Sequence, residues 1–511
     1  MRNQLNADAH ETTRRVIKNS LSNMAAGIST SLMYLLLPPV LARTLTVEEF
    51  GAWALISQLA NYVSRLDLGI QGAIGRYVAF YKAHNDQESV DDFVNTAFTV
   101  LSMIALIAAI AIVIVSDHLQ WEFPQIPAAL VRQSAVALRL TGGVMAAGLI
   151  SSVATGALIG IERNELVTYV IGPGRALLAI LLVLAAIRQL GLIGLAITFT
   201  GVNLLCYALL WRAARRNARL RIRPLAFKLA AAKELKGYCA STTIWSAAML
   251  MISGLDTLIV GRIDFARVAA YAACAAPVMV LGGLQQAMFG PLLQVGARYT
   301  AQGRTVELGN ILERATRIST VVLLACVVPL LAFSKPLLSL WLGANYAQAA
   351  TSILRLLLIG HAIRLAATPY ALLLLATEHH RQVRFPPIVE GIVNVSVAIL
   401  LGIRYGAAGV ACGVVAGAVA AQLINYYYNL PRTHGGVVNR GHILRTALIV
   451  PISCFIPVAL PGMIPTGLFR ESTMAMIKII SIFCAFALAW KCALKKGERE
   501  WLIAAGRQLI A

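Results

Sequence analysis

The sequence predicts an all-α polytopic membrane protein with about 14 transmembrane helices. Hydrophobic residues make up 58% of the 511 residues and charged residues only 13%, whereas soluble domains carry about 25% charged residues. Apolar runs of about 18 or more residues, long enough to cross a bilayer as a helix, recur from one end of the chain to the other. These observations exclude a soluble globular protein.

The apolar runs form two sets of six, followed by two more. The fourteen predicted spans are 18–41, 51–75, 92–115, 135–160, 166–187, 190–211, 237–261, 267–293, 317–334, 351–377, 386–403, 407–429, 446–464 and 474–492. We divide the chain into an N-terminal lobe, a basic linker, a C-terminal lobe and a last segment with two helices and a tail. These four parts are 1–211, 212–236, 237–430 and 431–511.

Short matches between the two sets of six predict that the lobes are repeats. GIQGA at Gly69–Ala73 resembles GLQQA at Gly283–Ala287, and FGAWAL at Phe50–Leu55 resembles VAAYAA at Val268–Ala273. The spacing of about 214 to 218 residues is nearly constant, as expected for the internal repeats of transporters. Both sets begin on the same side of the membrane, so the repeats are parallel, and a substrate site is expected between them near the midplane.

The formal net charge of +21 follows the predicted membrane topology. With the N-terminus inside, about 30 of the 44 lysines and arginines fall in the inner tails and loops, as the positive-inside rule requires. The linker at 212–236 is the most basic segment, and both termini are predicted to be cytoplasmic. The charge therefore indicates topology and no nucleic-acid partner. Binding of a specific lipid or partner by the linker is the alternative interpretation.

The sequence contains no pattern for a metal site, a cofactor or catalysis. Its eight cysteines are scattered without a CxxC pair and are typical of small buried hydrophobic residues. P-loop, HExxH and GxSxG motifs are absent, and the N-terminal tail lacks the apolar core of a signal peptide. We therefore expect a transporter energised by a gradient, such as one of protons or Na⁺, instead of by ATP bound to this chain.

The stretch Ser57–Tyr77 carries a polar stripe through an otherwise apolar predicted helix. The stripe consists of Gln58, Asn61, Arg65, Gly72 and Arg76. All of them except Gly72 are candidate substrate-binding residues. An arginine at membrane depth costs roughly 3 kcal/mol or more, so it faces a partner or a water-filled cavity. Because a planar guanidinium binds phosphate oxygens bidentately, Arg65 predicts an anion site. A buried ion pair with an acid on another helix is the structural alternative.

Three carboxylates within predicted spans are candidates for coupling transport to a proton or a cation. They are Asp67, Asp256 and Glu390. Asp256 shares a polar face of the seventh span with Ser253, Ser246 and Thr242. Glu390 lies four residues before Asn394 on the eleventh span. For each carboxylate, a structural contact with another helix is the alternative.

Two more arginines are candidates for contact with the transported molecule. Arg364 shares a helical face with His361 just before Pro369, and Arg175 follows Pro173 in the fifth span. The predicted repeat places Arg175 at the counterpart of Glu390. These two residues are expected either to meet or to contact the substrate.

Several segments resemble a known family. Leu37–Leu59 (LPPVLARTLTVEEFGAWALISQL) and Arg65–Ala83 (RLDLGIQGAIGRYVAFYKA) resemble the polysaccharide and O-antigen (Wzx-type) flippases. These belong to the multidrug/oligosaccharidyl-lipid/polysaccharide exporter (MOP) superfamily. Lys335–Ala350 and Gly254–Arg262 are similar to the same family.

The resemblance implies a two-lobed helical fold and a substrate. Such proteins move an undecaprenyl-diphosphate-linked oligosaccharide, an O-antigen or exopolysaccharide repeat unit, across the bacterial inner membrane by alternating access. Their partners are membrane lipids and, in some systems, glycan polymerase or assembly proteins. Of the residues above, the resemblance places Arg65 on the cavity arginine of related lipid-linked precursor flippases.

Three other functions compete with a flippase. An ion-coupled drug or metabolite antiporter of the same superfamily would favour an acidic cavity, because many drugs are cations, and the buried arginines oppose it. A glycan polymerase or ligase would need an outer loop with its own polar site, and the outer loops are short. A non-transporting scaffold has no need for charges deep within its spans.

Overall fold

The computed structural model describes residues 34–218, 220–223, 226–377, 385–434, 438–459 and 471–500. Every regular element in this part of the chain is a helix. Eleven of the described helices are long and apolar enough to cross a membrane, and the bent pair Ser246–Ile252 and Asp256–Ile263 adds a twelfth if it is one span. The predicted polytopic helical membrane fold is thus confirmed. Residues 18–33 of the predicted first span and residues 501–511 of the C-terminal tail lie outside the described residues.

Contacts between Cα atoms divide the chain into two compact units, and the first comprises residues 1–250 and 264–272. Its helices are α1 (residues 34–44), α2 (Val47–Arg65), α3 (Ile70–Ala83), α4 (Gln87–Asp117), α5 (Leu119–Glu122), α6 (Ala128–Gly160), α7 (Asn164–Ile187), α8 (Gly191–Asn217) and most of α9 (Leu229–Ser253). The basic linker and α9 therefore pack with the N-terminal unit, whereas the sequence divides the chain at 211 and 237.

Helix α6 is the centre of the first unit and packs against α2, α3, α4 and α8. Its approach to α3 depends on two glycines one turn apart. A Cβ atom at Gly156 would lie 2.7 Å from the carbonyl oxygen of Gln71, and one at Gly160 would lie 2.8 Å from that of Gly75. Small residues at this spacing let membrane helices approach until their backbones touch. The position of α3 is thereby fixed against α6.

The second unit comprises residues 251–263 and 273–511. Its helices are α10 (Asp256–Ile263), the greater part of α11 (Val268–Phe289), α12 (Leu292–Ala301), α13 (Thr305–Ala332), α14 (Ser334–Trp341), α15 (Ala344–Leu365), α16 (Thr368–Ala376), α17 (Phe385–Tyr405), α18 (Ala407–Ile424), α19 (Leu430–His434), α20 (Arg440–Leu444), α21 (Val450–Ala459) and α22 (Glu471–Ala493). Two π-helical turns, Asn425–Asn429 and Arg445–Ile449, follow α18 and α20.

Helix α18 is the centre of the second unit and packs against α15 and α17. Gly409, Gly413 and Gly417 recur every four residues along its contact with α17. A Cβ atom at Gly413 would lie 2.6 Å from the carbonyl oxygen of Asn394. This close contact holds α17, and with it Glu390 and Asn394, at a fixed distance from the core of the unit.

Candidate functional site

Arg65 is the last residue of α2, and the helical path breaks directly after it. Leu68 and Gly69 have positive φ angles of 52° and 84°, and α3 then begins at Ile70. Glycine adopts this conformation freely, whereas leucine rarely does because its Cβ crowds the backbone. The prediction of one continuous helix over 51–75 is therefore wrong. The polar stripe is divided between two helices, with Gln58, Asn61 and Arg65 on α2 and Gly72 and Arg76 on α3.

The carboxylate of Asp67 holds this break in place. It accepts a hydrogen bond of 2.9 Å from the Ser152 hydroxyl on α6 and two of 3.3 Å from the backbone N–H of Gln71 in the first turn of α3. The side chain thus binds an otherwise unpaired amide at the start of a helix, as capping residues do. Asp67 therefore stabilises the backbone turn that follows Arg65.

The side chain of Arg65 is exposed at this break, while Asn61 on the preceding turn is exposed and Gln58 half-buried. Its position in the last turn of α2 suits a cation, because the C-terminal end of a helix carries partial negative charge. Within the described residues, Arg65 forms no ion pair. Its guanidinium is thus available to an external anion, with amide side chains on the same face of α2.

The other two candidate arginines of the first unit lie apart from this turn in sequence. The guanidinium carbon of Arg76 on α3 is 5.9 Å from the ring centroid of Tyr238 on α9, within cation–π range. Arg175 is exposed on α7, two residues after Pro173, which lies inside that helix. The contact of Arg76 with an aromatic ring makes it a less available anion ligand than Arg65.

In the second unit, Arg364 is paired with Glu390. Its Nε lies 2.5 Å from Glu390 Oε1, and its Nη1 lies 3.3 Å from Nδ1 of His361, one turn earlier on α15. The Arg364 side chain is 18% exposed and that of Glu390 9%, and Nη2 of Arg364 is buried without a hydrogen-bond partner. The carboxylate that was expected either to meet Arg175 or to contact the substrate therefore neutralises an arginine of its own unit.

Asp256 lies at a second helix break, between α9 and α10. The amide nitrogen of Asn394 donates to Asp256 Oδ1 over 3.1 Å and to the carbonyl oxygens of Met251 and Ile252 over 3.2 Å and 3.0 Å. Both carbonyl oxygens lie in the last turn of α9, directly before the break at Gly254. The polar face that was predicted along one helix therefore ends at residue 253, and the side chains of Ser253 and Thr242 lie outside the described residues.

Two residues of this arrangement were missed as site residues. Asn394 was noted only for its spacing from Glu390, yet it connects α17 to the α9–α10 break and leaves its own Oδ1 buried without a partner. Ser152 carried no signal, because it lies among small residues of an apolar helix. Asn394 and Ser152 each bind residues that are distant in the chain. The spacing of residues within one helix does not reveal such contacts.

The two units thus offer different chemistry. The first presents an exposed guanidinium beside amide groups, which suits an anion such as phosphate. The second contains a buried carboxylate at a helix break beside carbonyl oxygens, which suits a proton or a small cation. In the part of the chain that the structure describes, no cluster of three or more His, Cys, Asp or Glu side chains could hold a metal ion.

Comparison with protein families gives one match, over residues 40–351, to a family described as "Polysaccharide biosynthesis protein". The match covers more than half of the chain. No curated protein sequence matches the chain.

Several solved structures share the fold at low sequence identity. Lipid II flippase MurJ in an inward closed conformation superposes with a TM-score of 0.68 and 13% identity, over 93% of this chain and 99% of that one. A multidrug resistance MATE family transporter of the MOP superfamily gives 0.62 and 17%, over 79% and 92% of the two chains. A MOP superfamily transporter from Pyrococcus furiosus gives 0.55 and 17%, over 80% and 93%. The resemblance inferred from the residues is thereby confirmed at the level of family and fold.

Proposed function

Because this chain belongs to the polysaccharide biosynthesis protein family, we propose that it is a flippase for an undecaprenyl-diphosphate-linked oligosaccharide. The substrate would be an O-antigen or exopolysaccharide repeat unit, moved across the bacterial inner membrane by alternating access with both termini in the cytoplasm. The fold shared with lipid II flippase MurJ and a MATE family transporter supports transport, and the lack of a P-loop motif supports a gradient as the energy source. Glycan polymerase or assembly proteins would take up the translocated product.

The observation that carries the proposal is the exposed guanidinium of Arg65 at the α2–α3 break. A diphosphate has the charge and the oxygen geometry that a planar guanidinium binds through two parallel hydrogen bonds. Asp67 already accepts from the backbone N–H of Gln71 in the first turn of α3, so that amide does not compete for the anion. Gln58 and Asn61 on the same face add amide donors and acceptors of the kind that bind sugar hydroxyls.

Arg364 is less suited than Arg65 to bind the diphosphate. Its Nε is bound to Glu390, and its unpaired nitrogen is buried. We therefore assign the diphosphate contact to Arg65, and Arg76 and Arg175 are secondary candidates in the same unit. Asp256 is the proposed coupling residue for a proton or Na⁺, because its buried carboxylate accepts a hydrogen bond from a neutral amide, that of Asn394. Glu390 instead pairs with the guanidinium of Arg364, and Asp67 binds the start of α3.

The test is export of surface polysaccharide by a flippase-deficient bacterium that carries this chain. We expect the wild type to restore surface glycan and Arg65→Ala to leave lipid-linked precursor inside at the same protein abundance. Arg65→Lys should restore part of the export, because it keeps the charge without the planar fork. Arg132→Ala, which removes an exposed arginine of α6, is the matched control. Full export by Arg65→Ala would exclude the proposed role.

An ion-coupled drug or metabolite antiporter is the second candidate, and the buried carboxylate of Asp256 is the observation that favours it. An antiporter would lower the sensitivity of the host to cationic drugs, with no effect on any surface glycan. Drug resistance that is lost in Asp256→Asn and kept in Arg65→Ala would support the antiporter against the flippase.

A further inference from the structure

Side chains in the first turns of α4 hold the basic linker by hydrogen bonds to its backbone. Asn95 donates to the carbonyl oxygen of Arg221 over 3.0 Å and accepts from the backbone N–H of Arg223 over 2.7 Å. Thr99 donates to the carbonyl oxygen of Ala226 over 3.1 Å, and Thr96 accepts from the N–H of Lys228 over 3.1 Å. Residues 220–223 and 226–228, which we call the linker loop, therefore have a defined conformation.

These contacts show that the described residues of the linker loop follow α4 first towards its C-terminal end and then back. Arg221 and Arg223 contact Asn95, and Ala226 contacts Thr99, one turn further along α4. Lys228 then contacts Thr96 and pairs with Asp92, which lie nearer the start of the helix. One full turn of α4, about 6 Å at 1.5 Å per residue, separates Asn95 from Thr99. The helix Gln87–Asp117 is one of the candidate membrane spans. Ala226 is thus the deepest described point of the loop along α4.

The charges of the linker loop have two different roles. Lys228 faces Asp92 and also lies 3.8 Å from Glu88, and the hydrogen bond with Asp92 raises the pKa of Lys228 above its usual value. Arg221 and Arg223 are exposed, and no ion pair among the described residues includes either. Two arginines are thus presented on a backbone that Asn95 holds rigidly.

Two large apolar side chains follow these arginines in the chain. Phe227 is 54% exposed and Leu229, the first residue of α9, is 64% exposed. A short segment that holds exposed arginines together with an exposed phenylalanine and leucine, near the start of a candidate membrane span, matches the composition of segments that lie in the lipid headgroup region. A water-facing loop or a nucleic-acid surface would gain nothing from the apolar pair.

We propose that the linker loop binds the anionic phospholipid headgroups of the leaflet on the side where α4 begins, through Arg221 and Arg223, with Phe227 in the apolar layer below. The phosphate supplies the acceptor oxygens for the two guanidinium groups. Because Asn95 fixes the spacing of the arginines, the loop acts as a built site and not as diffuse charge. The proposal is independent of the transported substrate.

The experiment is native mass spectrometry of the purified full chain in detergent, with phosphatidylglycerol or phosphatidylcholine added at equal concentration. We expect the wild type to retain phosphatidylglycerol preferentially. The Arg221→Gln/Arg223→Gln variant should lose roughly fivefold of this preference for each arginine removed. Arg188→Gln/Arg404→Gln, which removes the same charge from two exposed arginines elsewhere, should keep it.

A second variant separates a built site from diffuse charge. Asn95→Ala keeps every arginine and removes the side chain that holds Arg221 and Arg223, so the preference should fall. Arg221→Lys/Arg223→Lys keeps charge and backbone, and should bind better than the glutamine variant. Equal phosphatidylglycerol retention in the wild type and the glutamine variant would overturn the proposal, as would unchanged retention in Asn95→Ala.

Discussion

The Nε of Arg364 lies 2.5 Å from Oε1 of Glu390, so the second unit neutralises its own half-buried arginine. The pair joins the last turn of α15 to the beginning of α17. Arg65 in the first unit has no such acidic partner among the described residues and is exposed. The sequence offers Arg65 and Arg364 equally as ligands for an anion. In the structure Arg65 is exposed and Arg364 is paired with Glu390, and this difference can be measured.

We expect Arg364→Met to lower the free energy of unfolding by about 3 kcal/mol, because it leaves the Glu390 carboxylate buried without its partner. Arg364→Met/Glu390→Leu should recover most of that loss, since it removes both charges. Thermal unfolding in detergent measures both, with Arg404→Met as the control for an exposed arginine. Equal destabilisation of the single and double variants would contradict the pairing.

Asp67→Ala should destabilise the protein by about 1 to 3 kcal/mol, because it leaves the Ser152 hydroxyl and the Gln71 amide without their acceptor. Ser152→Ala should cost about 1 kcal/mol, as expected for the loss of one hydrogen bond. A double-mutant cycle in thermal unfolding then measures the coupling of the two side chains. Strictly additive losses would show that the Ser152–Asp67 hydrogen bond does not fix the break.

The export activity of the same Asp67→Ala variant provides a separate prediction. Because Asp67 holds the turn that follows Arg65, its loss should reduce surface glycan even though Arg65 is unchanged. Export is measured against protein abundance, with Ser64→Ala on the preceding turn as the control. Normal export would indicate that Arg65 acts independently of the turn geometry.

Asp256→Asn should remove the dependence of transport on a proton or Na⁺ gradient, because the amide keeps the size of the side chain but cannot take up a charge. Asn394→Ala should weaken the same dependence, since it removes the hydrogen bond to Asp256. Transport in membrane vesicles with each gradient imposed in turn measures this effect. Full gradient dependence in Asp256→Asn would assign the coupling to another residue.

The sequence was sufficient for the helical membrane fold because hydropathy over about 18 residues reports a bilayer span directly. It also located Arg65, Asp67, Arg364 and Glu390, because charges stand out in apolar helices. It did not reveal the break after Arg65. Leu68 is not a helix breaker by propensity, and Asp67 is held by Ser152, 85 residues away. Pairings such as Arg364 with Glu390 depend on which helices are neighbours, and a periodic pattern within one helix does not contain that information.

Glu498 and Arg317 provide a pH-dependent prediction. Nε of Arg317 donates to Glu498 Oε2 over 2.8 Å and Nη2 donates to Oε1 over 2.6 Å, which attaches the segment just after α22 to α13. Burial alone would raise the pKa of Glu498, but the hydrogen bonds from Arg317 outweigh it, and the pKa lies below the usual value of 4.5. The stabilisation is therefore fully present above pH 4.5 and is lost as the pH falls through the lowered pKa.

We expect the melting temperature of the wild type to fall below pH 4.5 more steeply than that of Glu498→Gln, because the glutamine has no charge to lose. At pH 7, Glu498→Gln should be less stable than the wild type, since the buried Arg317, only 4% exposed, loses the closer of its two ion-pair partners among the described residues and keeps Glu313 at 3.4 Å. Glu500→Gln changes a neighbouring glutamate and is the control. Parallel pH profiles for the wild type and Glu498→Gln would show that this ion pair does not anchor the segment just after α22.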